Sequence, residues 1–177
     1  MSTFLKSDQL TIRIESPGAE LSSVSNQNGI EFLWQGTKEI WPRHAPVLFP
    51  IVGKLKEDRY TYKAHMYSMT QHGFARDKNF TLLQHTDDRC IFELRSDEKK
   101  KKKYPFDFIF HVCYELKENT LITEYKVNNP SEESIYFSVG AHPGFNCPLL
   151  KEQSFEDYYL EFESSHFDLT ELNSGLR

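Results

Sequence analysis

Two histidines, His72 and His142, have the surroundings best suited to chemistry. His72 is followed by Gly73, and His142 lies between Gly-Ala and Pro143-Gly144. Glycine and proline set the backbone of a loop and so hold an imidazole at a fixed angle. An imidazole with an ordinary pKa of about 6.5 gives or takes a proton near neutrality. The two frames predict one acid/base site, although a loop imidazole bonding only backbone, or a capped strand end, has the same pattern.

A proline-rich apolar run over residues 41–54 is the second notable feature. Its three prolines rule out a central strand throughout. A rigid, aromatic-rich passage of this kind forms either a pocket wall or a buried crossover. As a pocket wall, it would let Arg43 or Lys54 reach a polar ligand. Arg76 is a third cation beside His72, and together the three would suit a sugar phosphate.

Aromatic side chains near the histidines could bind a sugar ring. Phe74 and Phe145 are our candidates because they lie inside the two histidine frames, although most of the fourteen phenylalanines must fill the core. Trp34 and Phe49 are weaker candidates of the same kind. No role is assigned to the five histidines without such a frame: His44, His65, His85, His111 and His166.

Composition excludes several classes of partner. The net charge is -5, and the basic run at 99–103 is not interleaved with aromatics, so nucleic acid is not expected as a partner. No apolar run approaches the roughly 18 residues that span a membrane. Three cysteines without CxxC spacing, and no leader-like N-terminus, predict a soluble, reduced, cytoplasmic protein.

Nucleotide, zinc-protease and serine-hydrolase motifs are absent, so we expect no cofactor. A cupin-like metal site would need a His-x-His pair that the sequence lacks, and we expect no metal.

Alternation of apolar and polar residues predicts the strands that position these groups. Leu10, Ile12 and Ile14 share one face, with a partner strand over 19–24 and a hairpin signal at Asn28-Gly29 leading into 31–34. The clearest pair is 110–116 with 121–127. Weaker strands are predicted over 59–62, 66–69, 80–85, 90–95, 135–139 and 158–162.

These strands predict the fold class. The only helix candidate is a turn or two over 96–103, ended by Tyr104-Pro105. Many short strands with almost no helix predict an all-β sandwich of antiparallel sheets in a single domain over residues 1–177.

Five segments in order resemble the aldose 1-epimerase (galactose mutarotase) family, and most of all its bacterial LacX-type branch. They are residues 18–21, 46–54, 72–77, 104–106 and 140–146. The resemblance implies a β-supersandwich that interconverts the α and β anomers of an aldose without metal or nucleotide. A base removes the proton of the anomeric hydroxyl, an acid protonates the ring oxygen, and the open aldehyde recloses on its other face.

The resemblance also implies roles for individual residues. His142 matches the general acid, and His72 matches the histidine that positions the sugar. Arg76 resembles an arginine that sugar-phosphate relatives keep near their ligand. Lys54 stands near a family arginine, which leaves its role open because lysine does not reproduce the arginine fork.

The chain departs from the family in length. The family's general base is a glutamate from a C-terminal part with no counterpart before Arg177. Three readings follow: an epimerase, the N-terminal part of a longer enzyme, or a non-catalytic carbohydrate-binding or regulatory relative. An incomplete sandwich would expose sheet edges and apolar faces, so we also expect self-association as a homo-oligomer.

Overall fold

Short strands make up most of the regular structure. A computed structural model of the chain describes residues 1–163. The strands are β1 (Ser2–Lys6), β2 (Leu10–Glu15), β3 (Glu20–Asn26), β4 (Val47–Leu48), β5 (Arg59–Tyr62), β6 (His65–Ser68), β7 (Thr81–His85), β8 (Arg89–Arg95), β9 (Ile109–Lys117), β10 (Thr120–Asn128) and β11 (Gly140–Ala141). One short helix, α1 (Glu98–Lys101), and single 3₁₀ turns at Lys56–Asp58, Ala75–Asp77 and Phe155–Asp157 complete them.

The first sheet has the order β1-β2-β3 and is antiparallel throughout. Ile12 and Ile14 are fully buried, as the alternation in this segment predicted. Strand β1 was not predicted. In this strand Thr3 and Leu5 are buried and Phe4 is exposed. A polar residue thus lies on the buried face and an aromatic residue on the exposed face, so the sequence does not show the usual alternation.

The second sheet has the order β10-β9-β8-β7 and is also antiparallel. Phe110, Val112 and Tyr114 of β9 all point into the core, in the predicted phase. The tight connection between β9 and β10 pairs Lys117 with Thr120. The all-β antiparallel class is therefore confirmed.

Both sheets contribute to one hydrophobic core. Phe49 lies at its aromatic centre, with its ring centroid 4.5 Å from that of Phe110 and 5.1 Å from that of Phe108. The Tyr114 hydroxyl donates to the carbonyl of Ala19 at 2.8 Å, which ties the second sheet to the start of β3. Burial raises the pKa of Tyr114 well above its ordinary value, so this hydroxyl keeps its proton as a donor.

Three predicted strands form no ladder within residues 1–163. Residues 31–34 make only isolated bridges, and residues 135–139 and 158–162 pair with no strand in that part of the chain. Sequence alternation marks a segment that suits a sheet, but pairing also requires a neighbouring strand.

The lysine-rich connector forms the helix α1, which Asp97 caps by accepting from the Lys100 N–H at 2.8 Å. This agrees with the short helix predicted there. No helix in the described part of the chain is long and apolar enough to cross a membrane. His166 and the end of the predicted 1–177 domain lie outside the described residues, so that domain assignment stays a prediction.

Candidate active site

The proline-rich run holds both histidine loops. On one side, β4 pairs with β11, and the His142 N–H donates to the carbonyl of Pro46 at 3.2 Å. On the other side, Phe49 bridges Gly73 in parallel, and the His72 N–H donates to the carbonyl of Gly53 at 2.7 Å. The run is thus a buried crossover over residues 46–50, and its backbone holds both histidine loops.

This arrangement brings the two predicted histidines together. Their ring centroids lie 5.7 Å apart, with an angle of 55° between the ring planes. His72 is half-buried and His142 is exposed. Because the two rings are this close and both are accessible from solvent, one small ligand can contact both imidazoles at the same time.

The structure fixes the protonation pattern of His72. Its Nδ1 accepts from the Gly53 N–H at 3.3 Å, so in the neutral ring the proton lies on Nε2. Burial lowers the pKa of His72, and the positive charge of Arg76 and the ring of His142 lower it further. His72 consequently presents a neutral N–H donor near pH 7.

The cations around His72 differ in how far they are already engaged. Arg43 ion-pairs with Asp77 and donates to the carbonyl of Arg76 at 3.1 Å. It also lies 3.5 Å from the buried carboxylate of Glu20, so the Arg43 guanidinium is held by protein groups. Arg76 donates one Nη2–H to the carbonyl of Gln71 at 2.9 Å, while its buried Nε has no partner in the described residues. Of the two arginines, Arg76 keeps more capacity for a ligand.

The other predicted binding residues differ in their surroundings. Lys54 is exposed and makes no hydrogen bond or ion pair within residues 1–163. Phe74 is only 4% exposed, and its ring packs in the core at 6.2 Å from that of Phe108. Phe145 is 55% exposed and lines an apolar cleft of about 560 Å³ between the two sheets, together with Ala141 and Pro143 on either side of His142.

Trp41 is a neighbour that sequence reasoning missed. Its ring centroid lies 5.1 Å from that of His142, with an angle of 50° between the planes. The sequence carried a weak signal, a tryptophan opening the proline-rich run. The contact depends on the pairing of β4 with β11, which no local pattern predicts.

No carboxylate joins the two histidines in the described part of the chain. Within residues 1–163, histidine and carboxylate pair at His44 with Glu20 and at His111 with Glu93. No cluster of three His, Cys, Asp or Glu side chains that could hold a metal ion occurs in the same part. The arrangement supplies a neutral donor, an open imidazole and a nearby guanidinium.

Comparison with known proteins decides the family. The sequence model of the aldose 1-epimerase family matches residues 2–174. The chain belongs to the aldose 1-epimerase family. Within it, the chain is 34% identical over 168 residues to the plasmid and chromosomal LacX proteins of Lactococcus lactis subsp. lactis, which covers 92% of this chain and 56% of each relative.

Solved structures of the family share the fold. A galactose mutarotase related enzyme from Lactobacillus acidophilus has a TM-score of 0.86 and 45% identity, over 89% of this chain and 53% of that one. A galactose mutarotase-like protein from Lactobacillus casei has a TM-score of 0.80 and 37% identity, over 82% and 50%. The chain thus has a galactose mutarotase-like fold and spans about half the length of these relatives.

Proposed function

We propose that this protein interconverts the α and β anomers of a hexose by acid/base opening of the sugar ring, alone or as the N-terminal part of such an enzyme. The observation that carries the proposal is the pairing of the His72 and His142 rings at 5.7 Å in a chain of the aldose 1-epimerase family. The substrate we propose is a small sugar or sugar phosphate.

His142 is the proposed general acid. Its imidazole is exposed and makes no hydrogen bond to residues 1–163, so its ring nitrogens are open to a substrate. Protonated His142 would give its proton to the ring oxygen as the bond from that oxygen to the anomeric carbon breaks, while the anomeric hydroxyl loses its proton to water and becomes the aldehyde oxygen. After rotation about the adjacent carbon–carbon bond, the ring closes on the other face of the aldehyde, the aldehyde oxygen takes up a proton from water, and the proton on the ring oxygen returns to His142.

His72 and Arg76 are the proposed positioning groups. The neutral Nε2–H of His72 would donate to a sugar oxygen, and a donor with its proton already in place cannot also serve as the base. Arg76 would donate to a hydroxyl or to an anionic substituent of the sugar. We propose that Lys54 binds substrate from the rim, while the burial of Phe74 favours a supporting role.

Mutarotation measured by polarimetry on fresh α-galactose or α-glucose tests the proposal. We expect the wild type to exceed the buffer rate and His142→Gln to lose about a hundredfold, the usual size of general acid catalysis. His72→Asn keeps an acceptor for Gly53 and tolerates the left-handed backbone, so it should mainly raise KM, by about tenfold for one lost hydrogen bond.

A matched control is His65→Ala, which changes an exposed histidine that bonds only the Lys63 carbonyl. It should leave the mutarotation rate unchanged. A wild-type rate equal to that of buffer would remove the catalytic proposal for this chain.

The second candidate is a non-catalytic carbohydrate-binding or regulatory protein. It is favoured by one observation, that no carboxylate bonds to either histidine within residues 1–163. Calorimetric titration with hexoses and hexose 6-phosphates would then show binding without turnover, and tighter binding of the phosphates would point to Arg76. Absence of heat with every sugar would contradict this candidate.

A further inference from the structure

We propose that Trp41 is a positioning residue that sets the ring orientation of His142, and that Gly144 is glycine in order to admit the indole. The inference rests on the proposed function, since the purpose of the orientation is proton transfer to a sugar. Its first evidence is geometric and independent of activity.

The ring of His142 is held by packing alone. Its backbone is fixed by the hydrogen bond to Pro46, but that bond leaves the side-chain torsions free. Within residues 1–163, the imidazole meets two rings, Trp41 at 5.1 Å and His72 at 5.7 Å, and no hydrogen-bonding partner. Of these two rings, Trp41 offers the larger surface and therefore decides where the imidazole can lie.

Trp41 is itself firmly held. Its backbone N–H donates to the carbonyl of Thr37 at 2.9 Å, and its backbone carbonyl accepts from the Trp34 indole N–H at 2.8 Å. These bonds fix the backbone of Trp41 at the start of the proline-rich run, and its indole packs against Gly144, where a built Cβ would lie 2.8 Å from Cζ3. A rigid neighbour can transmit a fixed orientation to an otherwise unbonded ring.

Gly144 explains why the indole fits beside the His142 loop. A Cβ atom built on Gly144 would lie 2.8 Å from Cζ3 of Trp41 and 3.1 Å from Cβ of Trp34. The backbone of Gly144 is not left-handed, so its conformation alone does not require glycine. The requirement is for space. Two backbone hydrogen bonds keep Gly144 from moving away. Its N–H donates to the His44 carbonyl at 2.8 Å, and its carbonyl accepts from the backbone N–H of Trp34 at 2.9 Å.

Two different substitutions should therefore have the same effect on His142. Trp41→Leu removes the indole, and Gly144→Ala displaces it. In each variant, we expect kcat for mutarotation to fall about ten- to a hundredfold, the usual effect of a misplaced catalytic group, with KM little changed. Trp41→Phe keeps an aromatic face and should recover part of the loss.

The ring protons of His142 provide a readout that needs no turnover. The wild-type spectrum of histidine-labelled protein, assigned with His142→Gln, should show His142 shifted by the indole ring current. Trp41→Leu and Gly144→Ala should both move this resonance and change the His142 side-chain torsion, read from the three-bond couplings about its Cα–Cβ bond, whereas Phe4→Leu, at an exposed aromatic position of β1, should change neither. If Gly144→Ala does not fold, Trp41→Leu and Trp41→Phe carry the test.

The outcomes separate this inference from the proposed function. A His142 side-chain torsion that changes in both variants of a protein without mutarotase activity supports the positioning role and contradicts only the activity. A resonance unmoved by Trp41→Leu overturns the inference even if the protein is an active epimerase. A ten- to hundredfold rise in KM with unchanged kcat in Trp41→Leu would also overturn the inference, since Trp41 would then bind substrate rather than position His142.

Discussion

At the scale of single residues, the main result is that His72 is a donor with a defined tautomer. The glycine frames identified both histidines from the sequence, because glycine and proline are local signals. The tautomer was not predictable, since it depends on the Gly53 N–H, 19 positions earlier in the chain. The role of Arg76 in lowering the pKa of His72 depends on the fold in the same way.

The titration of His72 is the first prediction at this scale. Its NMR pKa should lie below the ordinary value of about 6.5 and rise toward it in Arg76→Gln, because a repelling charge is removed. A pKa at or above the ordinary value would contradict the assignment of His72 as a half-buried neutral donor.

The same shift makes stability depend on pH. Because folding lowers the pKa of His72, the unfolded chain binds the proton more readily. The stabilisation is complete above the unfolded pKa of about 6.5 and is lost as pH falls from there toward the folded pKa. Over that window, the free energy of unfolding of the wild type should fall relative to His72→Asn. A difference that is constant across the window would contradict the shift.

At the scale of elements, the proline-rich run organises the site. Strands β2, β9 and β10 were predictable because their alternation is local, with one face buried in β2 and β9 and partly buried in β10. The run was not, because its hydrogen bonds reach segments that lie far away in sequence, the loop of His72 and the strand before His142. Its three prolines indicated only that it is not a regular strand throughout.

The His72 loop packs tightly against the proline-rich run where Gly73 lies beside the backbone of Phe49. A Cβ atom on Gly73 would lie 2.3 Å from the Phe49 carbonyl oxygen, and the φ of Gly73 is +72°. Gly73→Ala should therefore lower the free energy of unfolding by about 3 kcal/mol or more, through clash and backbone strain together.

Gly29→Ala is the matched control, measured in the same denaturant titration. Gly29 has a φ of +76° but open space around it, so alanine there should cost only the left-handed strain of about 1–2 kcal/mol. Equal losses in the two variants would show that the contact with Phe49 contributes nothing.

At the scale of the whole molecule, residues 1–163 leave several large apolar side chains exposed to solvent. Tyr136, Phe155, Tyr159 and Leu160 are 67%, 71%, 83% and 72% exposed, and they lie in or near segments that the sequence marks as strands but that form no ladder within residues 1–163. Phe155, Tyr159 and Leu160 line one apolar cleft together with Phe145, and exposed apolar surface of this kind favours association. The predicted sandwich was correct in class, and its pairing at this edge was not predictable from alternation alone.

Self-association of the isolated chain is the prediction at this scale. Sedimentation should give a mass that rises above 20.8 kDa with concentration, because burying these side chains against another copy removes apolar surface from water. The double variant Tyr159→Glu/Leu160→Glu should reduce it, while Leu83→Glu, at an exposed position on β7, should not. A monomer at every concentration would contradict the prediction.

The central claim is that this chain opens a sugar ring with His142 as the acid. The most direct measurement is the rate of anomer exchange at equilibrium, followed by NMR saturation transfer on one hexose, for the wild type and for His142→Gln at equal concentration. The account predicts exchange above the buffer rate for the wild type and a loss of about a hundredfold of that excess in His142→Gln. Equal exchange rates for the two proteins would contradict it.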